Sequence, residues 1–188
     1  GLPSRPAFLG VDVDDDGITY RTLPGTNHPR AAYFARGTGH NEMAVYSERS
    51  DDWIQNMTRL RKKIQRTGKD YLPQPIVDVD ESVTVGLITF GTNEPAVQEA
   101  RDYLKARGIA TNYLRVRALP LTEHVENFVN QHDRVYVIEN NFDGQLNQIM
   151  RIEYPQDIRH VHALALGDGL PMTANWIVEQ VLQVEGEQ

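Results

Sequence analysis

The chain has 188 residues, a net charge of −7 with a pI near 5.3, and no cysteine. The acidic balance argues against a dedicated nucleic-acid binder, and no apolar run approaches the ~20 residues of a membrane span. Without cysteine the chain holds no disulfide, thiolate nucleophile, cysteine-ligated zinc or cysteine-ligated iron–sulfur cluster of its own. A hydrophobic fraction of 40% and a charged fraction of 24% are ordinary for a soluble globular protein, and we expect a cytoplasmic one. This length supports one cored domain, alone or with an appendage. No charged-then-apolar leader is visible, and the start at Gly1 leads us to expect a piece of a longer chain.

Residues 1–49 are rich in Gly, Pro, Asp, Asn and Arg and do not promise a continuous core. Asp12-Val13-Asp14-Asp15-Asp16-Gly17 matches the first half of a calcium loop, but Leu23 stands where a bidentate Glu is required, so a solvated acidic turn is expected and no metal. Gly37-Thr38-Gly39-His40-Asn41-Glu42 has two readings. Small residues there would let backbone N–H groups approach an anion, with His40 and Glu42 as polar neighbours. It reads equally as a glycine-rich connection with His40 and Glu42 merely exposed.

Ser47 to Arg66 reads as a helix capped by Ser50, with Asp51 and Asp52 in its first turn and Trp53, Met57, Leu60 and Ile64 as its stripe. Its basic end suits the helix dipole and is either a solvated face or a salt-bridged partner surface. Residues 68–82 carry two prolines and read as a linker.

From Val83 the pattern alternates. Val83 to Phe90 is an apolar strand; Gly91-Thr92-Asn93 breaks it, Thr92 or Asn93 can cap, and Glu94-Pro95 opens a helix that Gly108 stops. Ala110 to Val116 is a second strand, and Thr122 caps a helix presenting Val125, Phe128 and Val129. Arg134 to Glu139 is a third strand, followed by the Asn140–Gly144 turn and a helix from Gln145. His160 to Leu166 is a fourth, and Thr173 caps the last helix. Strands alternating with helices predict an α/β fold, a parallel sheet covered by helices on both faces.

Such a sheet binds ligands at the carboxyl ends of its strands, here Gly91-Thr92-Asn93, Glu139-Asn140-Asn141 and Gly167-Asp168-Gly169. The dinucleotide fingerprint, the Walker lysine and the G-x-S-x-G elbow are all missing. His160 and His162 share a strand face without a third ligand in view, and the ordinary strand reading is preferred to a metal site.

At Glu139-Asn140-Asn141-Phe142-Asp143-Gly144-Gln145-Leu146 the chain resembles the C-terminal part of the α subunit of 2-oxoacid:ferredoxin oxidoreductases, where a strand ending in E-x-N precedes G-Q-L. Asp15–Ile18 with Tyr20–Gly25, Gly37–Glu42 and Val85–Thr92 are similar to that family in the same order. The resemblance implies that residues 1–67 are the tail of a domain holding the pyrimidine of thiamine diphosphate. It implies that residues 83–188 are a domain similar to the C-terminal domain of transketolases. The complete enzyme would be a pyruvate or 2-oxoglutarate synthase type. It would use thiamine diphosphate, magnesium and iron–sulfur clusters, with a β subunit, ferredoxin and CoA as partners. This chain alone would bind no cofactor, carry no catalytic residue and be inactive.

The candidate anion or interface residues are therefore Gly91, Thr92, Asn93, Glu139, Asn140, Gly144 and Gln145, with His40 and Glu42 as weaker ones. Glu139 is expected to project beyond the sheet edge, with amides around Gly144–Leu146 free to attract an anion or a neighbouring subunit. The alternatives are a cap from Asn141 or Asp143 and a local ion pair for Glu139. Two other functions compete with the subunit piece. One is an independent doubly wound domain binding a small anion or nucleotide at Gly91-Thr92-Asn93. The other is a transketolase-type or dehydrogenase piece.

Overall fold

The computed structural model describes residues 17–19, 22–29, 31–32, 37–42, 45–154 and 158–186. The chain divides into two compact units, Gly1–Tyr71 and Leu72–Gln188. Asp12–Asp16 of the acidic loop lie outside the described residues; Leu23, its twelfth position, is exposed.

In the first unit the main element is α1 (Ser50–Asp70). It starts three residues later than expected because Arg49 supplies the first accepting carbonyl, to Trp53 N–H at 3.1 Å. Ser50 is thus its first residue and not its cap. Asp51 and Asp52 lie in the first turn as expected, where the dipole favours them. Gly17, at φ +79°, lies against this helix: a Cβ there would come within 2.4 Å of Lys63 N, and Arg59 donates to Gly17 O at 3.0 Å. The expected stripe is not buried, for Trp53, Met57 and Ile64 are all exposed.

The second unit is a five-stranded sheet in the order β1-β3-β2-β4-β5. Its strands are β1 (Ile76–Asp78), β2 (Val85–Phe90), β3 (Asn112–Val116), β4 (Arg134–Glu139) and β5 (Val161–Ala165). The four from β2 onward are mutually parallel, with Ile88 beside both Leu114 and Val137, and Ile138 beside Leu164. The segment expected as a linker instead supplies β1, which pairs antiparallel with the outer edge of β3. The helices are α2 (Glu94–Ala106), α3 (Glu123–Asn130), α4 (Gln145–Glu153) and α5 (Ala174–Gly186).

Period-two alternation sends side chains to two cores. Leu87, Tyr113, Tyr136 and Ile138 meet Val97, Leu104, Ile177 and Val181 of α2 and α5. Ile88, Leu114, Val135 and Val137 meet Val125, Phe128, Leu146 and Met150 of α3 and α4. Gly86 of β2 lets the Phe128 ring approach: a Cβ there would be 2.6 Å from Phe128 Cε1. At the amino end of the sheet, buried Asn112 donates through Nδ2 to Asp80 O and Val83 O at 3.0 and 3.2 Å, with His132 Nε2 2.8 Å from the same nitrogen. That network fixes the β1–β2 connection against β3 and the end of α3.

The expected caps differ in part. Neither Asn93 nor Thr122 makes a side-chain cap, although each occupies the capping position of its helix. Thr173 does cap α5, accepting Trp176 N–H at 3.3 Å. No helix among the described residues is long and apolar enough to cross a membrane.

Candidate functional site

A parallel strand delivers its chain at its carboxyl end, so the loops after β2, β3, β4 and β5 gather on one edge. After β2, Gly91 at φ +66° starts a single 3-10 turn, Gly91–Asn93, that leads into α2. Arg115 of β3 ties this turn down, donating to Gly91 O at 3.1 Å and pairing with Glu94 at 3.0 Å. Glu94, in the first turn of α2, is thus engaged by Arg115. Gly91 and Thr92 are exposed, while Asn93 is buried.

After β4 the arrangement corrects the expectation for Glu139. Its side chain is fully buried and turned onto the following helix. Oε2 accepts Leu146 N–H at 2.9 Å and Oε1 accepts Asn147 N–H at 3.2 Å. Gly144, at the capping position with φ +64°, has no side chain to offer, and the buried carboxylate takes that role from the strand end. A carboxylate folds back because two otherwise unpaired amides and the positive helix end compensate its burial. Neither Asn141 nor Asp143 caps α4, and Glu139 forms no pair with Arg134, whose partner is Glu185 at 2.7 Å. Asn141 instead accepts Asp143 N–H at 2.9 Å and donates to Gln145 Oε1 at 3.1 Å.

The β4 and β5 loops also hold each other. Asn140 Nδ2 donates to Leu170 O at 3.0 Å, and a Cβ on Gly167 would lie 2.5 Å from Phe142 Cα. Phe142 itself is 83% exposed, and Leu119 and Leu170 are exposed as well. Three of the four loops at this edge thus present a large apolar side chain to solvent.

Between the ends of β2, β3 and β4 lies a cleft of about 470 Å³. Phe90, Val116, Leu119, Leu146 and Ile149 form its apolar walls, with Arg117, Glu139, Asn141 and Gln145 as polar members. Of the expected residues it brings together Gly91, Glu139 and Gln145; Thr92, Asn93, Asn140 and Gly144 are not among its lining. Sequence reasoning missed Arg117, and its signal was its place just past the carboxyl end of β3.

His40 and Glu42 belong to the first unit. His40 Nδ1 bonds Thr38 O at 2.9 Å, and Glu42 accepts from Gln55 Nε2 at 3.0 Å. Among the described residues no group of three or more His, Asp or Glu side chains could hold a metal ion. The chain has no cysteine to offer an iron–sulfur cluster, and the start of α4 is already occupied by the Glu139 carboxylate.

No family model matches the chain. It is 22% identical over 185 residues to the 2-oxoacid:ferredoxin oxidoreductase subunit alpha of Saccharolobus solfataricus, covering 96% of this chain and 28% of that one. The 2-oxoacid:ferredoxin oxidoreductase 2, subunit alpha, of Aeropyrum pernix is 25% identical over 158 residues, which cover 80% of this chain and 24% of that one. The chain thus spans about a quarter of the length of these curated relatives. Among solved structures it superposes on the 2-oxoglutarate:ferredoxin oxidoreductase of Magnetococcus marinus, with 2-oxoglutarate, coenzyme A and succinyl-CoA bound there. The TM-score is 0.73 at 26% identity, over 96% of this chain and 31% of that one. Over 80–96% of its length the chain is similar to part of the α subunits of 2-oxoacid:ferredoxin oxidoreductases.

Proposed function

We propose that the chain is part of the α subunit of a 2-oxoacid:ferredoxin oxidoreductase, an enzyme that decarboxylates a 2-oxoacid oxidatively and forms an acyl-CoA. The observation that carries this reading is the continuous match along 96% of the chain to the Magnetococcus enzyme, at a TM-score of 0.73. A shared strand order alone would indicate only a fold. Pyruvate or 2-oxoglutarate is the substrate class, and ferredoxin accepts the electrons.

In this reading the thiamine diphosphate, magnesium and clusters are held elsewhere in the enzyme, and the second unit is a scaffold for assembly. Thiamine diphosphate supplies the carbanion chemistry and the clusters carry electrons. The residues of this chain contribute shape. The exposed Leu119, Phe142 and Leu170, grouped on one edge, support a contact with another subunit or domain there. Gln145, exposed beside the buried Glu139, stands at that contact. Gln145→Ala in the chain mixed with its β subunit should weaken association while leaving the melting temperature of the isolated chain nearly unchanged. A lowered melting temperature with unaffected association would make the turn purely structural.

A further inference from the structure

We propose that the cleft between the ends of β2, β3 and β4 binds an amphipathic carboxylate: an apolar body of about six to ten carbons ending in a carboxylate group. The proposal rests on the second unit's fold and not on the oxidoreductase reading, which gives Leu119 and Gln145 of the same edge to a subunit contact.

The cleft opens at a topological switch point of the sheet. From β2 the chain moves outward to β3 through α2, on the face that α5 shares. From β3 it returns across β2 to β4 through α3, on the opposite face. The loops leaving β2 and β4 therefore diverge to opposite faces, and a crevice opens between two neighbouring strands. Open α/β sheets bind their ligands at such switch points. The cleft lies there, and its volume of about 470 Å³ falls within the size range of small-molecule sites.

Phe90, Val116, Leu119, Leu146 and Ile149 make a wall suited to hydrocarbon. The start of α4 would be a natural phosphate holder, but Glu139 already accepts two of its amides, and at the start of α2 Glu94 adds a negative charge paired with Arg115. Glu139 also lines the cleft, so an anion placed beside it meets a negative charge. The side of the cleft next to Glu139 thus disfavours an anionic group.

Arg117 is the cation of the cleft. Arg49, Arg101, Arg115 and Arg134 each pair with a carboxylate at 3.0 Å or less. Arg117 lines the cleft, is exposed, and makes neither a hydrogen bond nor an ion pair with the described residues. An uncommitted guanidinium beside an apolar wall, in a chain of net charge −7, matches a carboxylate head whose tail enters the cleft. The Gln145 amide is a second donor beside it.

The test titrates the 188-residue chain with phenylbutyrate, with phenylbutanol and with inorganic phosphate, followed by heteronuclear NMR. Phenylbutyrate should give saturable shifts centred on Gly91, Val116, Ala118 and Leu146. It should bind about fivefold or more tightly than the alcohol, the size of one partly exposed charge contact. Phosphate should give no saturable shift there. Arg117→Gln, a change at an exposed side chain, should abolish the preference for the acid over the alcohol. Leu119→Asp should weaken both. Absence of saturable binding by phenylbutyrate, shifts centred elsewhere, competition by phosphate, or an acid preference that survives Arg117→Gln would each overturn the proposal. In the first case the apolar edge would be left as a surface for a protein partner.

Discussion

Glu139 ends β4 with its carboxylate folded under α4, and its Oε2 receives the amide of Leu146, seven residues further along the chain, at 2.9 Å. The second oxygen receives the next amide, that of Asn147. One buried side chain thus joins β4 to α4 and neutralises the helix start. Glu139→Ala would leave both amides without a partner in a buried place. It should cost about 2–4 kcal/mol, since each lost hydrogen bond involves a charged group. Denaturant unfolding of the purified chain measures this, and a change below about 0.5 kcal/mol would show that the helix start is satisfied by other means.

Gly86 and Phe128 make a second tight relationship. The added methyl of Gly86→Ala would sit 2.6 Å from Phe128 Cε1 and 3.2 Å from His132 Cγ. Overpacking of this kind costs about 1–3 kcal/mol. Adding Phe128→Leu should make room for the methyl, so the double variant should lose less than the sum of the two single losses. Simple additivity in a double-mutant cycle would place the strain elsewhere.

The difference between what was legible in the sequence and what was not follows the range of the interactions. The four parallel strands and the helices between them were readable because apolar spacing and breakers such as Gly91 and Gly108 act within a few residues. β1 was not readable. It has only three residues, all exposed, and two prolines stand just before it. Its place comes from β3 and from Asn112, whose Oδ1 receives Asp80 N–H at 2.8 Å. The cap of α4 was misplaced for a similar reason. Local capping rules look at the residue just before the helix, and the carboxylate comes from the preceding strand. Of the candidate site, the carboxyl edge was foreseen from the fold class, whereas the Arg117 cleft depends on how three loops meet.

His162 gives a pH dependence. Its ring stacks on Tyr136 with centroids 5.4 Å apart. Burial holds its pKa below the ordinary histidine value; Glu185 opposes this, and His160, Arg134 and Arg151 add to the depression. The unfolded chain then takes up this proton near pH about 6.5, before the folded chain does. Below that value the unfolded state binds more protons, so the contribution of His162 to stability is full at higher pH and is lost as the pH falls. The stability lost between about pH 7.5 and about pH 5.5 should be smaller in His162→Gln than in the parent chain. Equal losses in the two proteins would remove His162 from the account.

The most direct measurement takes the complete α subunit containing this chain, assembled with its β subunit, and follows dye reduction with pyruvate or 2-oxoglutarate. The account predicts reduction that requires both the 2-oxoacid and CoA, and none from the 188-residue chain alone. An assembled complex loaded with thiamine diphosphate and clusters that reduces no dye with either 2-oxoacid, or CoA-dependent reduction by the isolated chain, would contradict it.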